Sequence, residues 1–462
     1  MDTPMAEAAE SISDDDGIDR INQLPNSLLH HILSFLPTKT CVQTTPLVSR
    51  KWRNLWKNLE ALDFCDSSSP QIYEFDNDEQ FLIFSVFVNT VLTLRKSRVV
   101  RKFCLSCYHV QLDPFYNHSI DTWINATIGP NLEEFHLTLL TAAGFNRVPL
   151  SLFSCPNLVS LSFNDYIILQ LQDNSKICLP SLKLLQLLDM YNLDLNSVNA
   201  LLSGCPVLEN LEISFAPESL ATLRLSSSTL KRLKIDVENE VGAYLEIDAP
   251  DLKYLSLTNI MFLNAASVGN LHNVEEAHLD VFSTHRAPSS PSTSESVEPV
   301  LRLLQALSGI KHLKLLSSTT KWLFAAPVLD FPEFCHLLYL ELWLLSFNSS
   351  FLIDMLQKCP VLQTLITFND KMHPSYDSSP SYGWEVKPKS VPKCLVSHLT
   401  FIDLQRYLGN SNELEFTSYV LQNGLVLKTM LISGFSLEQR GEWLKKISNL
   451  PRASAMCQVT FH

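Results

Sequence analysis

The sequence predicts an α/β solenoid: a small helical head, then irregular repeats that each give one short strand to a parallel sheet, then a capping segment. Three observations predict it. An apolar unit spaced Leu-x-x-Leu-x-Leu recurs along most of the chain. Residues 20–64 instead show the wider apolar periodicity of helices. Glycine is scarce, 12 in 462 residues, where roughly 7% is usual. Phosphate-cradling loops need glycine, and neither G-x-G-x-x-G, nor G-x-x-x-x-G-K-[ST], nor G-x-S-x-G occurs. That argues against a nucleotide-dependent enzyme or an α/β-hydrolase. At 462 residues the chain is long enough for about three ordinary domains, but the repeat points to one continuous stack.

Residues 1–18 read as a solvated tail. The first 19 residues hold seven acids and no Lys or Arg, and lack the basic and apolar regions of a signal peptide. The head spans 19–65. A helix opens at Pro25 and ends before Pro37, with apolar Leu28, Leu29, Ile32, Leu33, Phe35 and Leu36, a stripe too wide for one small neighbour to cover. A second helix is expected from Leu47 to about Leu59, with Val48, Trp52, Leu55 and Leu59 on one face and Trp56 beside it. Its other face carries Arg50, Lys51, Arg53 and Lys57. About 45 residues cannot bury this much apolar surface alone, so part of it should meet the next domain or a partner.

The run Phe81 to Leu94 is interrupted by Ser85, Asn89, Thr90 and Thr93 and reads as a buried helix, not a membrane span. The basic residues Arg95, Lys96, Arg98, Arg101 and Lys102 read as a solvated helix end. The repeats occupy 66–370. Their units are Leu132-Phe135-Leu137, Leu158-Leu161-Phe163, Leu182-Leu185-Leu187, Leu208-Leu211-Ile213, Leu230-Leu233-Ile235, Leu252-Leu255-Leu257, Val274-Ala277-Leu279, Ile310-Leu313-Leu315, Leu337-Leu340-Leu342 and Leu362-Leu365-Thr367. First positions are 26, 24, 26, 22, 22, 22, 36, 27 and 25 residues apart. Alternation at the last two positions gives one buried and one exposed face, with the chain returning by a helix or irregular turn. Helices stopping at Cys155-Pro156, Cys205-Pro206 and Cys359-Pro360 reset it, because proline cannot continue a helix. These cysteines act as small buried hydrophobes.

The longest interval holds a Ser/Pro-rich extruded loop at about 283–299, and a second loop spans 371–392. Register resumes at Leu399-Ile402-Leu404 and Leu427-Met430-Ile432. Between these two units lies a helix opened by Asn412 with Glu415 and stopped at Asn423-Gly424. A final helix from Ser436 to Asn449 and a strand near Gln458 to Phe461 complete residues 393–462 as the end cap that such stacks require.

The repeat resembles leucine-rich repeats in a degenerate form without the asparagine ladder. In the head, Leu24, Pro25, Leu28, Leu29, Ile32, Leu33, Leu36, Pro37, Val48, Ser49, Arg50, Trp52, Leu55 and Trp56 resemble the F-box of large plant families. Near the C-terminus, CLVSHLTFIDL and PRASAMCQVTF resemble the FBD domain. Together the chain resembles plant F-box/FBD/leucine-rich-repeat proteins from residue 19 onward, with Pro46 departing from the family's helical pattern. The resemblance implies the substrate-recognition subunit of an SCF-type ubiquitin ligase. The F-box residues just named, Arg50 apart, would bind a Skp-family adaptor, and through it a cullin/RING ligase, while the repeats bind a target protein for ubiquitination. The alternative is a scaffold that binds the adaptor without delivering a target. In either case the protein would make no covalent bond itself.

Exposed sheet positions supply the candidate target surface, chiefly Arg232, Lys234, Tyr254, Glu276, His278, Lys314, Tyr339, Glu341 and Trp343. Mixed charge with aromatic side chains suits a protein partner. No metal or cofactor is expected: Cys104 and Cys107 would point to opposite strand faces, and His30-His31 have no third ligand at helical spacing. A net charge of −13 disfavours nucleic acid. Eleven scattered cysteines without a signal peptide imply reduced thiols in the cytoplasm or nucleus.

Overall fold

A leucine at −3 followed by two alternating apolar positions requires the chain to run into a short strand with one buried face. The computed structural model shows this repeated from end to end. It describes residues 20–66, 78–108, 114–139, 146–165, 167–169, 171, 177–191, 193–216, 221–237, 243–262, 267–268, 271–283, 298–325, 332–370, 390–434 and 440–462. The acidic tail, most of both predicted insertions and the predicted helix start at Ser436 lie outside the described residues.

The sheet is a single parallel ladder through Ala61–Cys65, Lys102–Cys107, Glu134–Leu139, Ser160–Asp165, Leu184–Tyr191, Asn210–Ala216, Arg232–Val237, Tyr254–Phe262, Glu276–Ser283, His312–Leu315, Tyr339–Leu344, Thr364–Asn369, Phe401–Tyr407, Thr429–Gly434 and Gln458–Phe461. Neighbours are level. Leu211 lies beside Leu233, Leu233 beside Leu255, and Leu255 beside Ala277. The predicted end strand is present and pairs with Thr429–Gly434.

Two strands precede the first predicted unit. Ala61–Cys65 begins the sheet inside the segment assigned to the head, and Lys102–Cys107 follows it in register. Both obey the same spacing, as Leu59-Leu62-Phe64 and Val100-Phe103-Leu105, all buried. A strand through Cys104 and Cys107 was expected; the one at Ala61–Cys65 was not, because it lies in the segment assigned to the head. A row of rings, Phe64, Phe103, Phe135 and Phe163, packs edge-on or tilted from strand to strand.

The return path varies with interval. Helices Leu195–Ser203 and Ser349–Gln357 end at Cys205-Pro206 and Cys359-Pro360, while Leu150–Ser154 before Cys155-Pro156 is a 3₁₀ turn. All three cysteines are buried. Where the interval is 22 residues there is no room for a helix, and the chain returns through a second parallel ladder instead, Ala221–Ser226 with Ala243–Asp248 and Ser267–Val268. Alternation at Leu223/Leu225 and Leu245/Ile247 buries the inner face of that ladder. Three strands of the main sheet carry register shifts, and each shift holds a left-handed residue: Asp189 (φ 50), Asn259 (φ 55) and Arg406 (φ 55). These left-handed positions therefore use Asp, Asn and Arg in place of the scarce glycine.

Three further expectations are corrected. The helix Asp78–Leu94 is buried on one side only: Phe81, Phe84, Val88 and Val91 face inward, but Leu82, Ile83 and Val86 are exposed. The basic run after it is not a solvated helix end. Arg95 Nη2 donates to the carbonyls of Leu59 and Val99, the Lys96 N–H to the Lys57 carbonyl, and Arg101 bridges Glu60 and Glu133. These contacts tie the head to the stack. The helix Ser411–Asn423 opens on a capping box of Asn410 with Glu413, two residues earlier than predicted, and stops at Gly424 as expected.

Glu413 carries this cap. Its buried carboxylate accepts from the N–H groups of Leu408 (3.0 Å) and Asn410 (3.1 Å) and from Asn369 Nδ2 (3.3 Å). Glu413→Ala should cost about 2 kcal/mol in chemical denaturation by orphaning those donors, whereas Glu413→Gln, which keeps an acceptor and loses a buried charge, should cost less than half of that. Burial raises the Glu413 carboxyl above its ordinary 4.5, so the folded chain holds that proton more tightly than the unfolded chain. Its contribution is full below 4.5 and is lost as pH rises through the raised value. The stability of wild type relative to Glu413→Gln should therefore decline as pH rises from 4.5, and a flat difference would contradict it.

Candidate functional site

The head is built from short segments: helices Arg20–Gln23, Asn26–Leu33 and Thr38–Gln43, then 3₁₀ turns Thr45–Leu47 and Trp52–Asn58. The predicted continuous helix from Leu47 to Leu59 is absent. Pro46 sits in the first 3₁₀ turn, where its missing N–H costs nothing, and the chain continues with i→i+3 bonds, Leu47 to Thr44 and Val48 to Thr45. The helix Thr38–Gln43 was not read from the sequence; Pro37 immediately before it is its only local signal.

This geometry divides the candidate adaptor residues. Leu29 and Leu33 are 0% exposed, and Trp52, Leu55 and Trp56 are buried with them in the core. They hold the head together from beneath and are not open to a partner. Ser49 and Trp52 donate to Asn22 Oδ1, each at 2.8 Å, and Lys51 Nζ donates to the carbonyls of Asn22 and Leu24, closing the first helix onto the last turn. Leu24 and Ser49 are half-buried. Pro25, Leu28, Ile32, Leu36, Pro37 and Val48 are exposed. Ile21, Phe35 and Leu47 join them, with Phe35 75% and Leu47 83% exposed. Leu28 and Ile32 fall on one face of the helix by their spacing, and Phe35 and Leu36 follow in the turn that ends it. The outward stripe was legible as excess apolar surface, but which residues point outward was not.

The second candidate surface is the open face of the sheet, and most of its predicted residues converge there. Arg232 lies over the Tyr254 ring at 4.1 Å, which leaves Tyr254 buried instead of exposed. The Tyr254 hydroxyl meets His278 Nδ1 at 3.1 Å, and His278 Nε2 lies 3.0 Å from Glu276 Oε1. Glu341 gathers three donors: Lys314 Nζ at 2.8 Å, Trp343 Nε1 at 2.7 Å and the Tyr339 hydroxyl at 3.0 Å. Lys234 stands apart, paired with Glu212 at 3.2 Å. Sequence reading missed the rest of the stack, in which Trp343 lies against Phe368 at 4.4 Å and Arg406 covers Phe368 at 4.2 Å. Phe368 follows a weak repeat unit, just as Trp343 follows Leu342, and that offset was its signal. Arg406 had none, because the register shift that aims it is not encoded by periodicity.

The electrostatics follow from burial and pairing. Burial holds His278 below the ordinary histidine value, against the opposing pull of Glu276, so it is neutral near pH 7. Burial also pushes Tyr339 up to about 12, helped by the carboxylates of Glu341, Asp403 and Glu276. Burial alone would raise Glu341, but its three donors outweigh that and leave it below the ordinary glutamate value. Between the strands at Glu276, His312 and Tyr339 lies a depression of about 270 Å³. Among the described residues no group of three or more His, Cys, Asp or Glu is placed to hold a metal, and no helix is long and apolar enough to cross a membrane. All eleven cysteines are free, and Cys104 is half-buried where Cys107 is fully buried.

A helical adaptor-type head on a parallel one-strand-per-repeat stack defines an interaction protein of the F-box type, and comparison with known proteins agrees. Family models match at residues 21–63 (F-box domain), 120–283 (FBD-associated F-box protein At5g56370, LRR repeats) and 387–432 (FBD). Among similar proteins of Arabidopsis thaliana is the putative F-box/FBD/LRR-repeat protein At4g13965, 32% identical over 451 residues, covering 96% of both chains. The F-box/FBD/LRR-repeat protein At4g26340 is 29% identical over 458 residues, covering 96% of this chain and 100% of its own. The chain belongs to the plant F-box/FBD/LRR-repeat family. Its F-box and repeat domains support a substrate-adaptor role.

The division of the head is testable by denaturation. Leu29→Ala and Leu33→Ala should each cost about 2–5 kcal/mol, whereas Leu28→Ala and Leu47→Ser should stay within about 0.5 kcal/mol of wild type.

Proposed function

We propose that the protein is the substrate-recognition subunit of an SCF-type ubiquitin ligase in the cytoplasm or nucleus. Its head binds a Skp-family adaptor, and through it a cullin/RING ligase, and the open sheet face binds the target protein. The observation that carries this reading is the exposed apolar set Leu28, Ile32, Phe35, Leu36, Leu47 and Val48 on a head already closed by its own core. Apolar anchors presented by a short helix and the turns beside it are what a helical partner buries. Leu24, Pro25, Pro37 and Ser49 frame them, and Leu29, Leu33, Trp52, Leu55 and Trp56 support them from below. Arg50, Lys51 and Arg53 add an exposed basic rim that favours an acidic partner. The protein performs no chemistry itself and acts by holding a target near the conjugating machinery.

Co-purification with a Skp-family adaptor tests the assignment. Wild type should be captured, and Leu28→Glu/Ile32→Glu should lose capture by at least about tenfold at unchanged denaturation midpoint, since a tenfold loss needs only about 1.4 kcal/mol. A wild-type chain that captures no adaptor defeats the reading, as does equal capture by the double variant.

A further inference from the structure

We propose that the depression on the open face binds a basic side chain of the target protein, an arginine or lysine held by Glu276 against the ring of Tyr339. This deepens the target-binding half of the proposed function and rests on it. Lys314 is paired with Glu341 and lies 4.9 Å over the Trp343 ring. Glu341 is in turn saturated by Lys314, Trp343 and Tyr339. These two charges cancel and are locked in place. Glu276 is different: one of its oxygens faces His278, and the other has no hydrogen-bond partner among the described residues. Its side chain is 43% exposed.

An incoming anion would therefore meet an unspent carboxylate with no unspent ammonium opposite it. Beside the cancelled Glu341–Lys314 pair, Asp403 and Glu276 both put a negative field on the Tyr339 hydroxyl. The neutral imidazole of His278 does not offset it. An incoming cation finds a counter-ion at the mouth and an aromatic wall, since the His312 and Tyr339 rings flank the depression with centroids 6.0 Å apart. A cation over a tyrosine face is favourable. This surface already places a cation over an aromatic ring three times within the chain, at Arg232 over Tyr254, Lys314 over Trp343 and Arg406 over Phe368. At about 270 Å³ the depression is smaller than a typical small-molecule site and suits one long side chain.

The test selects a display library of random dodecapeptides on the full chain purified with its adaptor. The expected result is enrichment of arginine or lysine at one position. In an enriched peptide, replacing that arginine by citrulline, which keeps shape and loses charge, should weaken binding at least tenfold. Glu276→Gln should weaken the same peptide to a similar degree, and Glu276→Lys should turn the preference toward glutamate or aspartate. Each variant's denaturation midpoint is read alongside, and the charge reversal reports a gain that misfolding could not produce. Enrichment of acidic or apolar positions in wild type, no enrichment at all, or full binding by Glu276→Gln would each overturn the proposal. Loss of adaptor capture is read separately, so failure of the ligase assignment is not confused with failure of the pocket.

Discussion

Neighbouring strands of the sheet sit level with one another, and the rest of the molecule depends on that register. One apolar row runs from Leu62 through Phe103, Phe135, Leu161, Leu185 and Leu211 as far as Val459. A second runs two residues later, from Phe64 to Phe461, with the buried Thr367 as its one polar member. A repeat that slipped by one residue would turn both of its apolar side chains to solvent. Fixing the strands this strictly leaves the returns free. They run through helices, 3₁₀ turns or outer strands, over intervals from 22 to 36 residues, without disturbing either row.

A stack of this kind exposes an edge at each end and a seam of backbone before every strand. The head covers the first edge: the Thr38 hydroxyl accepts the Asp63 N–H at 2.8 Å. At the other end the sheet closes on a strand of four residues, held by Arg452 on the Cys457 carbonyl and by the Ala453 N–H on the Leu421 carbonyl. Along the seam each residue preceding a strand donates to the one before it, as Lys231 does to Glu209 and Lys253 to Lys231. Their side chains form charged rungs, Lys231 with Glu209 and Glu275 with both Lys253 and Lys311. Each exposed pair contributes little, but this chain has no asparagine ladder, and the rungs occupy the seam.

The repeats were legible because burial leaves a fixed spacing of leucine in the sequence. Of the two strands before the first unit, the one through Cys104 and Cys107 was expected, while Ala61–Cys65 was not, because Leu59-Leu62-Phe64 lies in the segment assigned to the helical head. The outer ladder was hidden as well. Three intervals of 22 residues exclude a helix, yet period alone does not say that a strand replaces it. In the head, composition announced excess apolar surface correctly. The inward and outward sides of Asn26–Leu33 emerge only from packing, which buries Leu29 and Leu33 and leaves Leu28 and Ile32 outside. On the open face the predicted residues largely converge, because alternation places every second side chain there. Arg406 was invisible because its aim comes from a left-handed bulge.

The first strand follows the last 3₁₀ turn of the head after only Leu59 and Glu60, and Arg95 and Arg101 bind the two together. The head is therefore welded to the sheet, with no swivel between them. From that first strand to His312–Leu315, where the depression lies, there are nine pairings, from Ala61–Cys65 with Lys102–Cys107 to Glu276–Ser283 with His312–Leu315. At about 4.8 Å per pairing the span is about 43 Å along the sheet. The strand count thus works as a ruler. A relative that gained or lost one repeat would present its cargo about 4.8 Å further out or nearer in, with no change to either surface.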